Sequence, residues 1–135
     1  MQFKKEIIIN APAREVFKQY ENVAMWKSWD AEVKESSLEG KFKVGSKGIL
    51  KPAKGPKANF ELTEVTPDKS FTSQTKLPLC KFDFKHQIED FGEATKVIHT
   101  VVFSGLTSAI FGRLIGSQIK KTLPDTLKGL KASCE

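Results

Sequence analysis

The spacing of apolar and polar positions along the chain changes twice, and each change marks a new kind of element. Gln2 to Ile9 ends in three consecutive isoleucines and reads as a strand. Asn10 and Pro12 then announce a helix, through a side chain able to cap free amides and a proline in a turn that needs no donor there. Val16, Phe17 and Tyr20 recur at helical spacing and predict one buried face. ENVAMWKSW, Glu21 to Trp29, gives a second short helical piece with Trp26 and Trp29 three apart, closed by a turn at Asp30.

From Val33 to Ser104 the period falls to two, and six strands are expected. Gly40, Gly45, Gly48 and Gly55, with Pro52 and Pro56, divide the first part at hairpin spacing. Ala58, Phe60 and Leu62 share a face, and so do Phe71, Ser73, Thr75 and Leu77, with Thr66 to Lys69 as the turn between. Pro78 interrupts the ladder because it cannot donate to it. The clearest alternation follows. Cys80, Phe82, Phe84, His86 and Ile88 lie on one face, and Lys81, Asp83, Lys85, Gln87 and Glu89 on the other. A turn centred on Gly92 and Glu93 sets Ile88 against Val97, Phe84 against Val101, Phe82 against Phe103 and Glu89 against Lys96. The same register places His86 directly opposite His99 on the inner face.

After Gly105 the period becomes that of a helix, expected from about Leu106 to Lys131. Leu106, Ile110, Leu114, Ile119, Leu123, Leu127 and Leu130 are read as one apolar stripe, widened by Phe111 and Ile115. Gly112 and Gly116 leave one side without bulk. Pro124 removes an amide, so a kink is expected there, separating an upstream lid from a downstream clamp. Strand, two short helices, six strands and a long helix together imply an α+β fold: a curved antiparallel sheet of about seven strands around the C-terminal helix, with a cavity between them.

Composition narrows this further. The 135 residues fit one domain, 1–135, and hold no apolar run able to span a bilayer. The N-terminus lacks the pattern of a signal peptide, and Cys80 and Cys134 are too few for a disulfide scaffold, so a cytoplasmic protein is the expectation. The net charge of +6 comes mostly from Lys41, Lys43, Lys47, Lys51, Lys54 and Lys57, and from Arg113, Lys120, Lys121, Lys128 and Lys131. Such lysines suit an acidic ligand or membrane surface, or are simply solvated. Without interleaved arginines and aromatics they argue against nucleic acid.

The chain resembles the START-like, or SRPBCC, superfamily with the helix-grip fold of the birch-pollen allergen, and most closely its polyketide cyclase/dehydrase-like branch. The matching segments are INAPAREVF (Ile9 to Phe17), WKSWD (Trp26 to Asp30), GSKGILKP (Gly45 to Pro52), FKHQIEDFGEATKVIHTVVFSG (Phe84 to Gly105) and LPDTLKGLK (Leu123 to Lys131). The resemblance implies a pocket for a hydrophobic small molecule, lipid- or polyketide-like, between sheet and long helix. Its expected lining is Tyr20, Trp26, Trp29, Phe60, Phe71, Ser73, Phe84, His86, His99, Val101, Phe111, Leu114 and Ile115. Without a phosphate loop, dinucleotide fingerprint or zinc knuckle no cofactor is expected, without an apolar span no stable membrane insertion is expected, and the oligomeric state stays open.

Four roles compete for the histidines. They are polar core residues satisfied by each other, by water or by Ser73 or Thr75. Or they orient a ligand oxygen in a greasy pocket. Or one is a general base of a cyclase or dehydratase, its titration coupled to its neighbour. Or they bind a metal, a reading without a third ligand, since Cys80 lies about 20 Å along the strand. Tyr20 either packs with its hydroxyl at the surface or aims it inward. The expected function is binding or carriage of a hydrophobic molecule. The alternatives are catalysis through His86 and His99, and a cochaperone-like protein-interaction module using the lysine-rich hairpins.

Overall fold

The computed structural model describes residues 2–135, so that Met1 lies outside the described residues. The chain runs as β1 (Gln2–Ile9), α1 (Ala13–Glu21), a 3-10 helix (Val23–Ser28), β2 (Val33–Leu38), β3 (Lys47–Pro52), β4 (Ala58–Thr66), β5 (Ser70–Leu77), β6 (Cys80–Asp90), β7 (Thr95–Ser104), α2 (Ser108–Leu114) and α3 (Gly116–Cys134). The strands form one antiparallel sheet in the order β1-β7-β6-β5-β4-β3-β2. Consecutive hairpins build β2 to β7, and β1 adds to the free side of β7. Irregularities between Val33 and Glu35 and between Leu62 and Glu64 add bend to the strands.

The register read from the alternation is the observed one. Ile88 pairs with Val97, His86 with His99, Phe84 with Val101, Phe82 with Phe103 and Glu89 with Lys96. A slip of one position would turn this whole apolar row to solvent, which is why the pairing is so strongly specified. Gly92, at φ 86, makes the turn, and the Phe91 amide donates to the Ala94 carbonyl. The β5–β6 connection is tighter. It holds Leu79 at φ 57, a conformation that costs a leucine energy, and leaves its side chain exposed.

Two expectations at the helix starts and breaks are corrected. Asn10 does not cap α1: Pro12 stands at the cap position, and the Asn10 amide donates to the Glu135 carboxylate. Pro124 lies inside a continuous α3, and the helix is interrupted at Ile115 instead. The single apolar stripe is also corrected. Phe111, Gly112, Ile115, Gly116, Ile119, Leu123, Leu127 and Leu130 turn inward, whereas Leu106, Ile110 and Leu114 are exposed. The reason is phase. Leu114 and Ile119 are five residues apart, about 140° around a helix advancing about 100° per residue, so the two sets cannot share a face.

The helices cover the sheet unevenly. A main core joins α1, the tryptophans and the C-terminal half of α3 to Phe60, Leu62, Phe71, Ile88 and Val97, all buried. There α3 presses hard on the chain: the Thr126 hydroxyl donates to Asp30 Oδ1 at 3.0 Å, and a Cβ at position 129 would lie 1.9 Å from the Trp29 carbonyl oxygen. Gly129→Ala is therefore expected to destabilise the protein, although alanine is the better helix former by about 1 kcal/mol. Forcing that contact apart typically costs about 1–3 kcal/mol, so the melting temperature should fall. An unchanged or higher melting temperature by calorimetry would contradict this packing.

Candidate functional site

Where β6, β7 and α1 meet, three polar side chains converge in the core. Alternation along β6 and β7 puts His86 and His99 on the inner face, and helical spacing points Tyr20 down at them from α1. The two imidazole centroids are 4.6 Å apart. The Tyr20 hydroxyl and His99 Nε2 are 2.6 Å apart, both buried, so the open choice for Tyr20 resolves inward. His86 Nδ1 donates to the Phe71 carbonyl at 3.3 Å. The histidines thus find Tyr20 and a backbone carbonyl as partners, rather than Ser73 or Thr75, which lie farther along β5 opposite Phe84 and Phe82.

Burial keeps all three groups neutral. It pushes the Tyr20 hydroxyl well above its ordinary value, with Cys134 and Asp30 adding to the shift. It pulls His86 well below the usual histidine range, with the neighbouring His99 second, against opposition from the Phe71 and Phe84 backbone. It brings His99 down to about 3. Donation from the Tyr20 hydroxyl to His99 Nε2 leaves fewer buried groups unpaired than the reverse direction, so the ring proton of His99 is assigned to Nδ1, which is buried and has no partner among the described residues. Trp29 Nε1 is likewise buried without one, beside the same tyrosine at a ring separation of 5.8 Å.

Aromatic rings pack against both imidazoles. Phe71 and Phe84 stack on His86 at 3.9 and 4.5 Å, and Phe84 meets His99 edge-on at 5.3 Å. Phe42, carried by the lysine-rich loop, packs edge-on against Phe17 and Phe71 at 5.8 and 5.1 Å. Trp26 stacks on Phe60 at 5.9 Å and donates from Nε1 to the Tyr20 carbonyl. Asp30 closes its turn as expected, accepting from the Glu32 amide at 3.0 Å, and burial raises its carboxyl above the ordinary value.

Phe84 is also where the main core gives way to something looser. Beyond it, under α2 and the start of α3, Cys80, Val101 and Phe103 are buried, but Phe3, Leu77, Phe82, Phe84, Phe111, Ile115 and Ile119 are only partly so. Gly116 lets the helix come close, since a Cβ there would sit 3.1 Å from Phe103 and 3.2 Å from Phe3. An open cleft of about 520 Å³ adjoins this half, lined by Lys76, Leu77, Leu79, Cys80, Lys81, Ser104 and Gly105. A second, of about 330 Å³, lies between the 3-10 helix and the β2–β3 hairpin, lined in part by Lys27, Glu35, Lys51 and Lys57.

Of the residues anticipated from sequence, Tyr20, Trp29, Phe71, His86 and His99 come together around the hydrogen bond. Phe84, Val101, Phe111 and Ile115 belong to the looser half. Ser73 borders both, and Trp26 and Phe60 lie in the main core. Leu114 does not belong, since it points to solvent. Phe3, Phe82, Phe103 and Ile119 were missed, although Phe82 and Phe103 share the parity of Phe84 and Val101 and could have been read from it.

The sequence matches the family model for polyketide cyclase/dehydrase and lipid transport over residues 1–135, and the chain belongs to that family. Solved structures of the same fold include a START superfamily protein from Mycobacterium smegmatis, at TM-score 0.80 and 13% identity, covering 98% of this chain and 96% of that one. The Zhui aromatase/cyclase from Streptomyces matches at TM-score 0.79 and 9% identity, covering 99% and 93%. A protein from Thermus thermophilus matches at 0.75 and 16% identity, covering 98% and 95%. By sequence, no curated protein matches.

The electrostatics of the site give a pH signature. A histidine whose folded pKa lies below its unfolded value near 6.5 stabilises the fold above that pH, and this contribution is lost as pH falls toward the folded value. The unfolded chain then binds the extra proton, and each such group costs about 1.4 kcal/mol per pH unit. Neither imidazole should titrate between pH 8 and 5 in NMR spectra of the folded protein, and His99 should report protonation at Nδ1. A midpoint near 6.5 for either ring would contradict the assignment.

Proposed function

We propose that the protein binds and carries a hydrophobic small molecule between the sheet and the α2–α3 helices. The acyl or fused-ring body lies in the half lined by Phe82, Phe84, Phe103, Phe111, Ile115 and Ile119. The observation that carries this reading is the unequal cover of one apolar sheet face. In the main core most apolar side chains are buried, with Ile7, Leu38, Phe42, Leu50, Val65 and Cys134 partly open at its margin, whereas under α2 the partly open ones outnumber buried Cys80, Val101 and Phe103 and lie beside a cleft. Exposed apolar surface that folding does not seal is what a greasy ligand covers, at about 25 cal/mol per Å² buried. The family's description and the aromatase/cyclase neighbour support a ligand of this chemistry. His99, behind Phe84, supplies a polar group at the inner end. Its Nδ1–H suits an acceptor oxygen of the ligand once the Phe84 ring swings aside.

A cyclase or dehydratase role for His86 and His99 is the second reading, favoured by the meeting of two imidazoles and a phenol at the seam. The tuning of these groups argues for carriage instead. A base works best with a pKa near the working pH, and burial holds His99 at about 3.

Titration with palmitate should displace anilinonaphthalene sulfonate from the wild type. Ile115→Arg, which puts a charge into the looser half at a partly exposed position, should weaken palmitate at least tenfold with a similar melting temperature. Wild-type protein that binds neither probe, or an Ile115→Arg variant that binds palmitate as well as wild type, would refute the carrier reading.

A further inference from the structure

Leu106, Ile110 and Leu114 are exposed at 89, 59 and 68%. Ile110 and Leu114, four apart, lie along one side of α2, and Leu106 stands in the turn before it. Leu79, exposed at 68%, lies beside them, because the Thr107 amide and hydroxyl donate to the Leu79 and Pro78 carbonyls at 3.1 and 2.5 Å. Leu79 is held there in a left-handed backbone conformation. Four large apolar side chains grouped on one end of a small protein are unlike the single exposed leucines of ordinary surfaces.

The chain segments that form this patch carry no acidic side chain. Between Glu93 and Asp125 the sequence has no acidic residue, and between Asp68 and Asp83 it has none either. Those two segments supply the patch and its surroundings, and they contribute Lys76, Lys81, Arg113, Lys120 and Lys121, all exposed. At about 100° per residue, Arg113 stands about 60° from Ile110 around α2, and Lys120 and Lys121 are exposed one to two turns farther along the chain, in α3. Lys76 and Lys81 line the cleft beside Leu79.

We propose that this end of the molecule docks on the surface of an anionic lipid bilayer, with Leu79, Leu106, Ile110 and Leu114 entering the headgroup layer and the five basic side chains meeting its negative charge. An apolar patch flanked by these cations complements that surface on both counts. A second copy of this chain would bring two sets of like charges together. The docking surface shares Leu79, Lys76 and Lys81 with the cleft that adjoins the looser half of the sheet. The docking itself does not depend on the carrier reading, because it is measured without a ligand.

Sedimentation with vesicles of phosphatidylcholine alone, and of phosphatidylcholine with phosphatidylglycerol, tests it. Wild type should bind the anionic vesicles at least tenfold more tightly, and less tightly as salt rises. Ile110→Glu/Leu114→Glu should abolish that binding, and Lys120→Gln/Lys121→Gln should weaken it by about fivefold per charge removed. These positions are exposed, so both variants should melt near the wild-type temperature and still bind palmitate. Failure to bind anionic vesicles, equal binding to neutral ones, or undiminished binding by the leucine–isoleucine variant would overturn the proposal. So would a wild-type dimer in light scattering that Ile110→Glu/Leu114→Glu dissociates, since a second copy would then cover the face.

Discussion

A buried hydrogen bond between the Tyr20 hydroxyl and His99 Nε2 joins α1 to the middle of the sheet, across 79 residues of sequence. An imidazole pair inside an aromatic core is tolerable only while both rings stay neutral. The phenol serves one nitrogen and the Phe71 carbonyl another. That arrangement fixes where α1 sits. Through Trp26 and the Tyr20 carbonyl it also fixes the 3-10 helix, and through Asp30 and Thr126 it fixes the C-terminal half of α3. The tightly closed end of the molecule follows from this chain of contacts.

The other end has no comparable anchor. With α2 separated from α3 at Ile115, the first helical segment is tied to the sheet by apolar contact and by the Thr107 bonds to the β5–β6 turn. Gly116 allows the helix to approach Phe103 and Phe3 closely. A protein that admits a hydrophobic molecule needs one region of low local stability next to one that does not open. The division at Phe84 supplies both, with the polar pair at the boundary.

Much of this was legible in the sequence, and the misses have physical causes. Strict alternation in Cys80 to Ile88, matched across one turn, determined the strand register and the pairing of His86 with His99, because any slip would expose an apolar row. The direction of the Tyr20 hydroxyl was not legible, since it depends on a contact made only in three dimensions. The helix face failed because four-residue spacing was counted on either side of a five-residue step, and the step carries the phase. Pro124 looked like the weak point, yet the interruption falls between two glycines. Phe42 sits in a lysine-rich loop whose composition reads as solvent, and nothing local to it announces the aromatic core it enters.

The central claim is that the sheet's apolar face has one closed half and one half that accepts a ligand. Methyl NMR during addition of a long-chain fatty acid addresses it directly. The account predicts large shifts at Val101, Ile115 and Ile119, with Ile9, Leu127 and Leu130 unmoved. Shifts centred on Leu127 and Leu130, or none anywhere in the interior, would contradict it.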